Sequence, residues 1–255
     1  LLQDGWTSTS TQTSTQKSTL EKNIIEKEGK IDNYNNDNND YIVTENKLKY
    51  NINKRNGQKT GFYCDQRENR LLVRELSKGK TVLDTYCYTG GFALNAALGG
   101  ATSVTAVDSS LSAIAAANNN IELNNLSTSS LQFIKSDSIE YMRERKKEKV
   151  QYDLVICDPP KLAPTRSALQ RAKTKYVQIN TLAMSVTKPG GLLYTFSCSA
   201  AVTQSNCLSE IVHTAALEAR RDCTILSKTS TGGDHPVHLG YPEGSYLTGL
   251  LLRVN

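Results

Sequence analysis

Asp158-Pro159-Pro160-Lys161 and Phe196-Ser197-Cys198-Ser199 place a carboxylate and a thiol just after two short apolar runs, Tyr152 to Cys157 and Leu192 to Ser197. A thiol is useful where the target carbon is a poor nucleophile. The C5 carbon of a pyrimidine cannot attack a methyl sulfonium unaided, whereas thiolate addition at C6 makes C5 enamine-like and nucleophilic. Asp158 is the first choice for orienting the amino edge of such a ring. Two plainer readings stay open. Asp158 could be a solvated residue in a proline-stiffened turn, and Cys198 could be packing, because cysteine is among the most buried residue types. Cys198 differs from Cys87, Cys157, Cys207 and Cys223 in following the apolar part of its run and standing between two serines.

A second group carries the marks of a ligand site. Asp84-Thr-Tyr-Cys-Tyr-Thr-Gly-Gly-Phe92 sets an acid at one strand end and the turn Thr89-Gly90-Gly91 before a helix. A dinucleotide fingerprint would need G-x-G-x-x-G, and a carboxylate at this turn would repel a pyrophosphate. A ligand bearing an amino group suits it better. Asp108 ends the next strand, where a carboxylate can accept both hydroxyls of a ribose, and Asp137 closes the third. Three acidic strand ends in succession suit S-adenosylmethionine, with Asp84 near the ammonium, Asp108 on the ribose and Asp137 near the adenine amino group. Tyr86, Phe92, Ser109, Asp158 and Pro159 complete the expected cofactor set. Asp108 and Asp137 could equally cap the helices that follow them.

The elements that must position these groups follow from periodicity. Strands are expected at Thr81 to Asp84, Val104 to Asp108, Leu131 to Ile134, Tyr152 to Cys157 and Leu192 to Ser197. Helices are expected at Gly91 to Leu98, Ser109 to Asn124, Ser138 to Lys149, Ser167 to Thr187 and Thr203 to Arg221. Regular alternation implies an α/β, doubly wound, mostly parallel sheet with ligands at the carboxyl ends of its strands. Cys223 to Ser227 and Tyr246 to Val254 read as a terminal antiparallel pair, an ending that separates methyltransferases from ordinary dinucleotide folds. Ahead of this domain, Tyr41 to Thr44 and Leu48 to Ile52 read as a hairpin turning at Glu45-Asn46. Residues 1 to 40 include a Ser/Thr tract from Thr7 to Thr19 and an Asn/Asp tract from Asn33 to Asp40, and read as disordered apart from a transient helix over Leu20 to Ile31. The expected organisation is thus a low-complexity segment at 1–40, a hairpin remnant of a β-rich domain at 41–56, and a catalytic domain at 57–255.

Composition narrows the classes further. The longest apolar stretches fall far short of the roughly 18 residues that a membrane helix needs, which argues against a membrane partner. Six cysteines without a C-x-x-C pair fit reduced thiols better than a zinc ribbon or a secreted disulfide scaffold, so no metal is expected. No secretory signal is visible. Of the net charge of +5, the first forty residues carry −3 and the remainder +8, so the folded part is the basic part. That excess permits a polyanionic partner.

Asp158-Pro-Pro-Lys161 resembles motif IV of methyltransferases acting on nucleobases. More widely, residues 41–255 resemble the bacterial-type large-subunit ribosomal RNA cytosine-5 methyltransferases. The resemblance is carried by Gly57-Gln-Lys-Thr-Gly-Phe-Tyr-Cys-Asp-Gln-Arg67 with Asn69-Arg70, by Asp84 to Phe92, and by Asp158 to Lys161. Tyr176, Asn180, Phe196 to Ser199, Asp234-His-Pro-Val237 and Tyr241 to Leu247 complete it. It implies a Rossmann-like class I methyltransferase, S-adenosylmethionine as cofactor, ribosomal RNA as partner, and 5-methylcytosine formed with Cys198 as the nucleophile. Uridine C5 enzymes usually continue with Asn-Pro where this chain has Ser199-Ala200. That family normally carries an N-terminal RNA-binding domain and a complete β-rich middle domain, and here a low-complexity tail precedes only a hairpin.

Substrate contacts are expected from Lys59, Arg67 and Arg70 around Phe62 and Tyr63, from Pro160 and Lys161, and from Arg166, Arg171, Lys173 and Lys175 after the proline turn. The first group could instead pack a domain junction, and Arg143 to Lys149 reads as a solvated helix face. His235 could help remove the C5 proton or be structural. Two rival functions remain: a guanine-nitrogen RNA methyltransferase in which Cys198 merely packs, and a non-catalytic RNA-binding scaffold. The compartment stays open among cytoplasm, chloroplast and mitochondrion.

Overall fold

The structure, a computed structural model, describes residues 40–53 and 61–255. The expectations for 1–39, including the helix over Leu20 to Ile31, and those for Lys59 and the Gly57 to Thr60 part of the motif lie outside the described residues.

Strands β1 (Asp40–Glu45) and β2 (Leu48–Asn53) form the hairpin, with Val43 opposite Tyr50. Its turn is one residue later than expected. Asn46 and Lys47 both have positive φ, 49° and 70°, the hand that matches the twist of the flanking strands. A helix absent from the expectations follows, α1 (Arg67–Leu76). Its apolar residues fall strongly to one side, so the helical pattern is present in the sequence; polar Asn69 and Arg70 share the buried face with Val73.

The chain then alternates: β3 (Thr81–Asp84), α2 (Gly91–Leu98), β4 (Ser103–Asp108), α3 (Leu111–Leu123), β5 (Leu131–Lys135), α4 (Ser138–Lys147), β6 (Tyr152–Cys157), α5 (Leu169–Ser185), β7 (Thr187–Ser197). Two short helices, α6 (Ala200–Gln204) and α7 (Leu208–Ala219), stand where one was expected. The break falls at Asn206, which adopts a left-handed φ of 50° that interrupts a helix. β8 (Cys223–Thr229) and β9 (Thr248–Val254) close the chain. β7 begins five residues before the expected Leu192: Tyr152 pairs with Thr187, the register shifts, and Leu154 pairs with Leu192.

The seven-stranded sheet has the order β5-β4-β3-β6-β7-β9-β8. β3, β4, β5, β6 and β7 are parallel, and β9 runs antiparallel to both β7 and β8. This is the expected doubly wound sheet with its terminal antiparallel pair. Two cores flank it. One gathers Met142, Tyr176, Ile179 and Ile211 from α4, α5 and α7. The other gathers Leu48 and Tyr50 of the hairpin with Val73, Leu94 and Ile121 from α1, α2 and α3. The hairpin therefore shares its core with the sheet. Strand order reverses where β3 lies between β4 and β6, and a cleft at the carboxyl ends of such strands is where α/β folds bind ligands.

Candidate active site

β3 delivers Asp84 to that reversal point, paired in register with Ile156 of β6. The Asp84 side chain is wholly buried, and neither carboxylate oxygen has a hydrogen-bond partner. Burial, then the nearby charges of Asp158 and Asp108, push its pKa up to about 8. The Tyr86 and Ala93 amides face the carboxylate and pull the other way, though neither meets hydrogen-bond geometry. Asp84 thus lies beneath the site floor instead of on its open face.

Above it the chain turns sharply. Gly90 takes φ 88° as the residue before α2, and its amide donates to the Cys87 carbonyl at 2.8 Å. A Cβ there would meet Phe133 Cζ at 2.7 Å, so both backbone hand and space call for glycine. A Cβ on Gly91 would sit 3.1 Å from Arg70 Cδ. Thr89 is buried, whereas Phe92 stacks on Phe196 with centroids 5.5 Å apart and belongs to the core. Phe92 therefore supports the turn from below and leaves the candidate ligand contacts.

Asp108 is half-buried and ties the turn to β4: Oδ2 accepts from the Tyr88 amide and Oδ1 from the Ser110 amide, both at 2.9 Å. Ser109 between them is exposed. Asp137 is the N-cap of α4, its Oδ1 accepting from the amides of Ile139 at 2.9 Å and Glu140 at 3.0 Å. The capping alternative is realised there, with the side chain at the surface. Tyr86 is half-buried, its phenol pKa raised by burial and by the nearby Cys157, Asp137 and Tyr176.

The chemical groups meet one strand further on. Cys198 follows β7 directly, is half-buried, and points its thiol at the Pro159 carbonyl, 3.9 Å away. Asp158 follows β6 and accepts at Oδ2 from Gln66 Nε2 at 2.9 Å. A relay holds Gln66 in turn: Asn69 Nδ2 donates to Gln66 Oε1 at 2.6 Å, and Tyr194 donates to Asn69 Oδ1 at 2.7 Å. The Tyr63 phenol is pushed up to about 12, first by burial and then by Tyr88, Cys198 and Asp158. The Tyr176 phenol is likewise pushed up to about 12 by burial and by Cys198 and Asp158, against hydrogen bonds with Ser197 and Ser199. Thiol and carboxylate therefore act on the same two tyrosines. Tyr63 was legible only as half of an aromatic pair among basic residues, and Gln66 only by its place in the Gly57 to Arg67 motif, since its Asp158 partner lies 92 positions away.

The remaining candidates separate. Pro159 is buried, while Pro160 and Lys161 are exposed at the mouth. Arg70 is withdrawn from the substrate rim: its side chain is 4% exposed, and its guanidinium makes a bidentate pair with Glu45 at 2.7 and 2.6 Å and lies over the Phe62 ring. That is junction packing. Arg67 is half-buried, 3.2 Å from Glu68 and 3.8 Å from Asp234. His235 stands beside Asp234, Nδ1 to Oδ1 3.2 Å, in a loop whose contacts run to Asp65, Arg67 and Glu68. Beyond Lys161, a groove of about 1340 Å³ runs between α4, α5 and α7, lined by Lys161, Arg171 and Lys175 over Leu162 and Val177. Asp84, Asp108 and Asp158 do not line it.

A profile of the S-adenosylmethionine-dependent methyltransferases matches residues 33–219. The chain belongs to that family. Among its curated relatives, a "Ribosomal RNA large subunit methyltransferase I" from Aeromonas hydrophila is 44% identical over 213 residues, covering 83% of this chain and 53% of the relative. The Pseudoalteromonas atlantica protein of the same name is 41% identical, covering 84% and 54%. The methyltransferase chain thus spans about half the length of the curated relatives it matches. Of solved structures, a Streptococcus mutans protein described as a SAM-dependent methyltransferase superposes with TM-score 0.76 at 23% identity, covering 87% of this chain and 57% of that one. Pyrococcus abyssi Trm5b gives 0.63 at 19%, covering 89% and 62%. At these identities the likeness concerns the fold.

The residues present fit the family's cofactor. Asp84 keeps two buried oxygens without partners, and Asp108 and Asp158 crowd negative charge around it. A ligand with an ammonium and a sulfonium relieves that repulsion, whereas a phosphate would add to it. Among the described residues, no group of three or more His, Cys, Asp or Glu is arranged to hold a metal, and no helix is long and apolar enough to cross a membrane.

Proposed function

We propose that this chain carries the catalytic domain of an RNA methyltransferase that forms 5-methylcytosine in large-subunit ribosomal RNA. The observation that carries the reading is the half-buried Cys198 thiol facing the Asp158-Pro159 turn from the adjacent strand. The names of the curated relatives support ribosomal RNA as substrate. S-adenosylmethionine, when bound, supplies an electrophilic methyl group, held over Asp84, Thr89, Gly90 and Gly91, with Asp108 toward the ribose, Asp137 toward the adenine, and Tyr86, Ser109 and Pro159 along the walls.

The protein's own part is to make C5 of the base a nucleophile. Asp158, its rotamer set by Gln66, accepts from the cytosine amino group and fixes the ring. The Cys198 thiolate gives its electron pair to C6, forming a C–S bond and moving the ring π pair onto C5. Once C5 is substituted, loss of the C5 proton returns a pair to the ring, the C–S bond breaks, and the thiolate leaves. Pro160 and Lys161 guide the strand at the mouth, and Arg67 and His235 meet at Asp234 beside the Asp65–Glu68 segment. Residues 57–255 are assigned to the catalytic domain and 41–56 to the end of a preceding β-rich region.

Methyl transfer to protein-free ribosomal RNA, with bisulfite mapping and mass analysis of the digested product, tests this. The expected product is 5-methylcytosine. Cys198→Ala is expected to abolish transfer, and RNA carrying 5-fluorocytosine to trap the wild-type protein covalently, because fluorine cannot leave C5 as a proton does. A nitrogen-methylated product, or unchanged C5 methylation by the Ala variant, defeats the proposal.

A further inference from the structure

Three asparagines inside helices are wholly buried, an unusual place for a side chain with both donors and acceptors to satisfy; beside Asn180 in α5, two of them, Asn95 in α2 and Asn120 in α3, reach out of their own helix. Each has one partner in the hairpin and one in the glycine turn. Asn120 Oδ1 accepts from the Asn51 amide of β2 at 2.8 Å, while its Nδ2 donates to the Thr89 carbonyl at 3.0 Å. Asn95 Nδ2 donates to the Tyr50 hydroxyl at 3.0 Å and to the Gly91 carbonyl at 2.8 Å. Its Oδ1 accepts from Arg74 at 3.0 and 2.6 Å, and Arg74 also donates to the Asn46 carbonyl at the hairpin tip at 2.7 Å. The two carbonyls on either side of Gly90 are thus tied to β1–β2 through separate side chains.

Asn124, one helical turn beyond Asn120, supplies an internal comparison. Its side chain accepts from the Lys49 amide and donates to the Lys49 carbonyl, both at 2.7 Å, and its other bond goes to the Asn120 carbonyl within α3. It grips the same strand as Asn120 without a bond to the turn.

We infer that Asn95 and Asn120 are positioning residues for the cofactor turn, transmitting the anchorage of the hairpin to Thr89, Gly90 and Gly91. The hairpin is then a working part of the methyltransferase site. The inference depends on the family's cofactor and is independent of which base or atom receives the methyl group. A turn with a left-handed glycine at its centre has many alternatives, and fixing the carbonyls on both sides removes them before the ligand arrives; preorganisation of this kind appears as affinity.

The test is calorimetric binding of S-adenosylhomocysteine to the full chain, with Asn95→Ala, Asn120→Ala and Asn124→Ala compared below their melting temperatures. Loss of one buried tie to the turn is expected to weaken binding about tenfold in the first two. Asn124→Ala is expected to melt lower yet bind within about twofold of wild type, a difference smaller than one such hydrogen bond. Amide exchange at residues 89–91 is expected to quicken in the first two only. Equal affinities in all three variants, or an equal loss in all three, overturns the inference, the second outcome meaning that hairpin docking alone matters. Should Asn120→Ala not fold, Asn95→Ala against Asn124→Ala decides it. Failure of RNA methylation leaves this result untouched, so the two readings fall separately.

Discussion

The Tyr176 hydroxyl accepts a hydrogen bond from Ser197 Oγ at 2.9 Å, and it lies 3.2 Å from Ser199 Oγ, so one buried phenol bridges the residues on both sides of Cys198. Ser199 Oγ in turn accepts from the Ala163 amide at 3.1 Å, joining this strand end to the loop after Asp158-Pro-Pro-Lys161. The thiol therefore hangs from a strand end that is held at two points.

Tyr176→Phe removes that bridge and leaves two buried serine hydroxyls short of a partner, which costs about 1–2 kcal/mol. The melting temperature is expected to fall modestly. The diagnostic measurement is steady-state kinetics: kcat falls while KM for S-adenosylmethionine holds, because the phenol supports the thiol and not the cofactor turn.

Asp84 predicts a pH dependence whose sign follows from its raised pKa. Between the ordinary carboxylate value of about 4 and its folded value of about 8, the folded protein holds a proton that the unfolded chain has released. Stability of the cofactor-free protein contributed by this group is therefore full at low pH and is lost as pH rises through that window. Thermal melts across it are expected to show this loss, and Asp84→Asn to flatten it. S-adenosylhomocysteine affinity is expected to rise as Asp84 ionises, and the Asn variant to lose both affinity and slope. A wild-type binding curve flat through pH 8 contradicts the ammonium assignment.

Gly90→Ala places a methyl group against Phe133 and forces a non-glycine residue to φ 88°. A cost of about 1–2 kcal/mol from the backbone alone is expected. Shrinking Phe133 to Leu in the same chain is expected to recover the packing part in a melt while cofactor binding stays weak.

The basic groove is a candidate path for RNA leaving the site. Lys161→Glu, Arg171→Glu and Lys175→Glu are expected to weaken RNA binding at every sequence tested and to lower the salt slope by roughly one per lost phosphate contact. Filter binding over a salt series measures both. Unchanged slopes in all three place the RNA elsewhere.

Much of this was legible because local pattern and local geometry agree. Each parallel strand ends in a polar group that cannot continue into the buried sheet, so Asp84, Asp108, Asp158 and Cys198 could be placed at one edge from spacing alone. The Thr89-Gly90-Gly91 turn was legible for the same reason, since only glycine tolerates that backbone and that approach. Sequence by itself therefore determined the alternating fold, the acidic strand ends and the thiol one strand from the proline turn. Tertiary structure decided the rest. It buried Arg70 against Glu45, sent Phe92 into the core, turned Asp137 into a helix cap, and brought Gln66 to Asp158 and Asn120 between the hairpin and Thr89. These are pairings of polar side chains across long stretches of chain. A lone Arg, Gln or Asn reads as a surface residue until the partner that satisfies its hydrogen bonds is known, and no periodicity encodes that partner.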